Sequence, residues 1–295
     1  MKNKGLPPSL IQKLSDAVRS YPSIDSLYLF GATTGRDESE FFVPNSIKAN
    51  KPVKYEIFIL VVSETSLGDP LKFRKAVQAE LEGEVKVYNI HYTCEDFSLQ
   101  FDTDPFLRQI LTPENLVWSD SEWQVPSIIR KRPLEQLIEE WEYRMRKAVF
   151  FHEKAAISGW DNDEVASTAF FSEAVWQASA ALVWAHFEWK PRNFDLDLCL
   201  NLSKSFTSIP DMLLPKATFQ SHKIYHFLCH TRTIMLQNTE RLLTEDEAEE
   251  IFEVTRKFIR KVNAFGIEKI RSRGPKDYVT PLEVDYFDPF KFQQV

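Results

Sequence analysis

Glycine is scarce in this chain, with 8 in 295 residues, and none of them falls in a dinucleotide-fingerprint or P-loop spacing. A phosphate cradle of either kind needs several glycines close together, so both of those nucleotide folds are excluded. No Gly-x-Ser-x-Gly elbow is present either, which removes the α/β-hydrolase arrangement. Cysteine is equally thin. Cys94, Cys199 and Cys229 are odd in number, far apart and without Cys-x-x-Cys spacing, so neither a disulfide framework nor a zinc knuckle is implied. Excess positive charge is lacking: 36 Lys and Arg against 43 Asp and Glu leave a net charge of −7. There is no global basic field to hold a polyanion, although local basic patches are compatible with that balance. Long apolar runs are absent as well. The most apolar stretch, Ala169–Phe187, carries Glu173, Gln177 and His186 and therefore reads as a buried bundle helix rather than a membrane span. The opening MKNKGLPPSL has no apolar signal core, so a cytoplasmic protein without membrane contact is expected.

What the chain does have is bulk, with 23 Phe and 7 Trp, and a change of texture along its length. In the first half, Pro7–Pro8 open a helix with apolar residues at Leu10, Ile11, Leu14 and Val18. Ser26–Phe30 reads as a buried strand stopped by Gly31, and 36–53 as a polar, Pro-containing loop. Tyr55–Val62 is the strongest strand signal, being β-branched and aromatic with one acid near its start. A helix over Pro70–Leu81 and an alternating strand over Glu84–Tyr92 follow, so a mixed or parallel sheet is expected. The texture changes near Trp118–Pro133, and everything afterwards reads helical: Leu134–Ile157, Asp163–Trp189, Asp195–Phe206, Lys216–Leu236 and Thr244–Phe265. The last helix has a capping-box signal, Thr244 with Glu247, acids in its first turns and Arg256, Lys257, Arg260 and Lys261 further on. The expected organisation is α+β: an α/β domain over 1–122, a linker over 123–133, an all-α bundle over 134–270 and an extended tail over 271–295.

Two constellations carry chemistry. The first is Leu29-Phe30-Gly31-Ala32 followed by Tyr55-Glu56-Ile57-Phe58-Ile59-Leu60-Val61-Val62. It resembles the minimal nucleotidyltransferase family, in which a strand ending in Phe-Gly-Ser precedes a strand reading acid-hydrophobic-acid. The resemblance implies that the Gly-Ser turn meets a nucleotide triphosphate and that the acid pair holds two divalent cations. Gly31, Ala32, Thr33 and Glu56 are then the candidate nucleotide-binding residues, with Ala32 where the family has Ser and Phe58 where it requires the second acid. Magnesium is implied only if such a pocket works. The later strand offers Asn89 or His91 instead of a third acid, and Asp37, Glu38 or Glu40 would have to complete a rearranged site around Glu56.

The second is Ala174-Val175-Trp176-Gln177, then Trp189-Lys190-Pro191, then Leu196 to Leu202. This resembles the HEPN family of helical bundles, many of which are ribonucleases with an Arg followed four to six residues later by His. Arg232 stands about where that Arg belongs, but no His follows it. Arg146 and His152 have the spacing on the first bundle helix, where the family does not use it. Independently of any family, His222, His226 and His230 recur at i, i+4 and i+8, a spacing that either holds a metal or half-covers a helix face. Together these features imply a catalytically degenerate nucleotidyltransferase-HEPN protein that binds nucleotide, RNA or a partner and forms a homodimer through its helical domain. The alternatives are an active transferase with a rearranged metal site, or a toxin-like ribonuclease.

Overall fold

The computed structural model describes residues 5–21, 23–34, 53–101, 104–120, 132–160, 164–190, 195–214, 223–231 and 244–278. The chain divides into two compact units, the first Met1–Lys131 with Lys204–Thr207, the second Arg132–Ser203 with Ser208–Val295.

The first unit is built on a four-stranded mixed sheet in the order β3-β2-β1-β4. Helix α1 (Pro8–Arg19) starts with proline in its first turn, where the missing N–H costs nothing. Strand β1 (Ile24–Thr34) pairs antiparallel with both β2 (Tyr55–Ser63) and β4 (Leu116–Ser119). Helix α2 (Pro70–Glu80) carries the chain across to β3 (Val85–Thr93), which runs parallel to β2. Eight consecutive residues of β2, Glu56 to Ser63, are buried, and only Tyr55 at its start is partly exposed, as a near-continuous apolar run requires of a central strand. Its odd-numbered residues Ile57, Ile59 and Val61 join Leu14 and Val18 of α1 and Phe73 and Val77 of α2 in one core. Two further short helices, α3 (Cys94–Phe101) and α4 (Pro105–Ile110), were not foreseen from the sequence pattern.

One expectation is corrected here. Gly31 does not stop β1. The strand continues to Thr34, Gly31 pairs with Phe58, and the register shifts between Leu29 and Gly31. The glycine thus marks a β-bulge, which inserts one residue and kinks a strand without ending it.

The second unit is helical: α5 (Leu134–Trp160), α6 (Glu164–Phe187), α7 (Leu196–Lys204), α8 (Ile209–Leu213), α9 (223–231) and α10 (Glu245–Arg271). Helix α6 is buried through nearly all of Phe171–Val183 and lies between α5 and α10, as its lack of a polar face requires. The capping box at α10 is formed: Glu247 N–H donates to Thr244 Oγ1 at 3.3 Å, and Thr244 N–H to Glu247 Oε2 at 3.0 Å. That helix runs past the expected Phe265 to Arg271, because Ile267 and Ile270 continue its buried stripe. The chain after it turns back on α5, where Tyr278 Oη donates to Glu142 Oε1 at 2.6 Å.

Gly266 is the tight point of this packing. A Cβ there would stand 2.2 Å from Trp141 Nε1 and 2.3 Å from Cε2, both in a rigid, fully buried indole. Helix propensity favours Ala over Gly by about 1 kcal/mol, while overpacking costs about 1–3 kcal/mol. The steric cost wins, so Gly266→Ala should lower stability in urea unfolding by about 1–2 kcal/mol. Adding Trp141→Phe, which shortens the ring, should reduce that loss.

Candidate functional site

Along a strand, side chains alternate between faces, so the β1–β2–β3 register sorts the expected site residues. Thr33, Glu56 and Lys86 form one row across the sheet, and Gly31, Phe58 and Tyr88 the next on the same face. Ala32 belongs to the opposite face, in the core beneath α1 and α2, so it does not stand beside Glu56. Asn89 and His91 are also on that opposite side: Arg74 Nε of α2 donates to Asn89 Oδ1 at 3.3 Å, and His91 Nε2 lies 2.7 Å from Ser63 Oγ. The two residues that the later strand offers rather than a third acid therefore stand on the face away from Glu56.

Glu56 is buried, 8 % exposed, with Lys86 Nζ 3.7 Å from its Oε1. A cation from the neighbouring strand thus sits where a metal-binding carboxylate would need its counter-ion. In the next row Phe58 is fully buried and stacks on Tyr88, ring centroids 4.9 Å apart and 15° from parallel. Phe30 lies 6.1 Å from Phe58, and the buried Phe106 of α4 meets Phe30 edge-on at 5.5 Å. Lys86 Nζ is 5.1 Å and the Arg74 guanidinium 5.9 Å from the Tyr88 ring, within cation–π range. The row that would carry a second acid is filled by a four-ring aromatic cluster with basic groups at its edge. Among the described residues no group of three or more His, Cys, Asp or Glu is gathered as a metal set. These side chains do not fit a pair of magnesium ions. Asp37, Glu38 and Glu40 lie outside the described residues.

The register also creates a Ser–His contact that sequence spacing does not suggest. Ser63 Oγ donates to the Thr65 carbonyl at 2.6 Å, so it accepts from His91 Nε2. That polarity is the reverse of a nucleophile handing its proton to a base, and Ser63 is fully buried. Burial holds the His91 pKa below its ordinary value, and burial with the Asp25 carboxylate pushes the Cys94 thiol up to about 11. Neither group is poised for nucleophilic chemistry.

In the second unit, Arg232 and His222 lie outside the described residues. His226 and His230 face each other on α9 with ring centroids 4.6 Å apart. Arg146 and His152 serve separate ends: Arg146 pairs with Glu142 at 3.1 Å, while the buried His152 lies 3.2 Å from the Phe252 carbonyl and packs on the Phe252 ring. Burial lowers the His152 pKa, as expected of a neutral core histidine. A groove of about 980 Å³ opens beside α5, lined by Arg132, Glu135, Glu139, Tyr143, Trp184 and Lys190 among others. No local motif announces it, since its residues come from the first half of α5, from Arg132 just before it, and from Trp184 and Lys190 at and beyond the end of α6. Among the described residues, no helix is long and apolar enough to cross a membrane. No family model and no curated protein matches the chain.

Proposed function

We propose that this chain is a catalytically inactive nucleotidyltransferase-like and HEPN-like protein, in which the first unit holds a nucleotide or acts as a scaffold, and the helical unit dimerises or holds RNA or a partner. The observation that carries this reading is Phe58. It stands on the Glu56 face at the position of the family's second acid, and it is fully buried in a stack with Tyr88. Two-metal phosphoryl transfer needs carboxylates there to neutralise charge on the attacking and leaving oxygens, and an aromatic ring offers no such ligand. The Glu56–Lys86 approach supports the same reading, because a paired carboxylate is a weaker cation ligand.

Isothermal titration with ATP, GTP, CTP and UTP, with and without magnesium, tests it. The expected result is heat of binding that does not depend on magnesium, or none, and no release of pyrophosphate in either case. Magnesium-dependent turnover of any of the four overturns the proposal.

A further inference from the structure

Helix α5 (Leu134–Trp160) carries an outward face that its own unit does not cover. Tyr143, Phe150 and Ile157 are 52 %, 50 % and 45 % exposed, and they recur every seven residues. Isolated exposed apolar residues are ordinary, but three large ones in heptad register along one helix make a seam. The charges on that face are sorted by sign. The exposed charged residues before Tyr143 are Glu135 and Glu139, and those after it are Arg146 and Lys154.

We propose that this face is a two-fold contact with a second copy of the chain, in which α5 packs near-antiparallel on its twin. A two-fold axis between Arg146 and Lys147 sets Tyr143 against Phe150 of the other copy and Glu139 against Lys154. The same operation brings Gln136 to Ile157, so each acidic end meets a basic, apolar end. A self-complementary patch of this kind is what an isologous interface requires, and near-antiparallel packing keeps long helices in contact along their length. The acidic end is also concave: Glu135, Gln136, Glu139 and Tyr143 line the groove of about 980 Å³, which gives Lys154 and Ile157 of the twin a place to enter. Near the axis Arg146 comes opposite Lys147 of the other copy, and each Arg146 is already neutralised by its own Glu142 at 3.1 Å. Lys147 and Lys154 now lie over the Tyr143 and Phe150 rings at 4.6 Å and 5.5 Å, so both rings are open to a partner once those flexible amines swing aside. The contact deepens the reading of the helical unit as the contact-making half and rests on it. It is independent of what the first unit binds, which calorimetry decides separately.

The test is sedimentation velocity of the full chain over a wide concentration range. The expected species is a dimer of the 34.4 kDa chain that dissociates on dilution. Glu139→Lys and Lys154→Glu alone should each weaken it at least ~10-fold, because like charges then face each other. The double variant should restore it. Oxidation of a Glu139→Cys, Lys154→Cys chain should link two copies, since the two sites in one helix are about 22 Å apart at 1.5 Å per residue, too far for one bond. A monomer at every concentration overturns the proposal. So does a dimer indifferent to the single reversals, or self-linking of Glu139→Cys alone, which marks a parallel pairing.

Discussion

Phe58→Asp, which places a second acid two residues after Glu56 on the same face of β2, is expected to unfold the first unit instead of creating a metal site. Truncating a buried Phe costs about 3–5 kcal/mol from lost contacts and the cavity left behind. Here the lost partners are the stacked Tyr88 ring and the Phe30 ring. Aspartate adds the cost of a buried carboxylate, two residues along the same face from Glu56, whose own carboxylate already has Lys86 Nζ 3.7 Å away. Since a whole domain is stable by only about 5–15 kcal/mol, the change consumes much of that margin. The check is thermal unfolding by circular dichroism, with Phe58→Leu as a milder control that keeps the site apolar. Magnesium should leave the unfolding midpoint of both variants unmoved. A stable Phe58→Asp protein whose midpoint rises with magnesium would show an accessible cation site beneath the aromatic cluster, since a ligand stabilises only the state that binds it.

The second large effect is expected at Glu188, just past the end of α6. Its side chain is 9 % exposed and pairs with Arg273, while Arg132 Nε lies 3.9 Å from Oε2. Arg273 also donates to the Arg132 carbonyl at 3.3 Å, and the Arg132 guanidinium lies over the Trp184 ring at 4.8 Å. One carboxylate thus ties together the lead-in to α5, the end of α6 and the chain after α10. Removing one partner from a fully buried pair costs about 3–5 kcal/mol because the other charge is left without compensation. Arg132 and Arg273 keep 22 % and 25 % of their side chains exposed, so Glu188→Gln should lose about 2–3 kcal/mol. Backbone conformation adds a second, separable effect. Glu188 has φ 55°, the left-handed region that disfavours any residue with a Cβ by about 1–2 kcal/mol. Glu188→Gly should therefore be more stable than Glu188→Ala by about 1 kcal/mol, although both lose the carboxylate. Urea unfolding followed by tryptophan fluorescence suits the comparison, since five of the seven tryptophans belong to this unit. Equal stability of the Gly and Ala variants would remove the backbone contribution, and an unchanged Glu188→Gln would remove the ionic one.

Local signals were legible wherever one stretch of chain contains the whole cause. Thr244 and Glu247 carry the start of α10 because both partners of a capping box lie within one turn. The run YEIFILVV announces a central strand because burial on both faces leaves no room for alternation. The aromatic side chain at position 58, two residues after Glu56, was equally plain, since it is a property of residue type at a position.

Placement was not. Whether Gly31 ends a strand or bulges within it depends on β2 lying alongside to pair with Phe58. Which residues of β3 face Glu56 depends on the parity set by the parallel register, and that parity chose Lys86 and Tyr88 over Asn89 and His91. Glu188 meets an arginine 85 residues later in the chain, and nothing near it in sequence marks the contact. The sequence by itself determined the two kinds of architecture, the order of the main elements and the aromatic residue at position 58, because propensity, periodicity and side-chain chemistry act over a few residues. Only the tertiary structure decided which side chains share a face, because register and long-range ion pairs arise when distant segments meet, and a shift of one residue would invert every assignment.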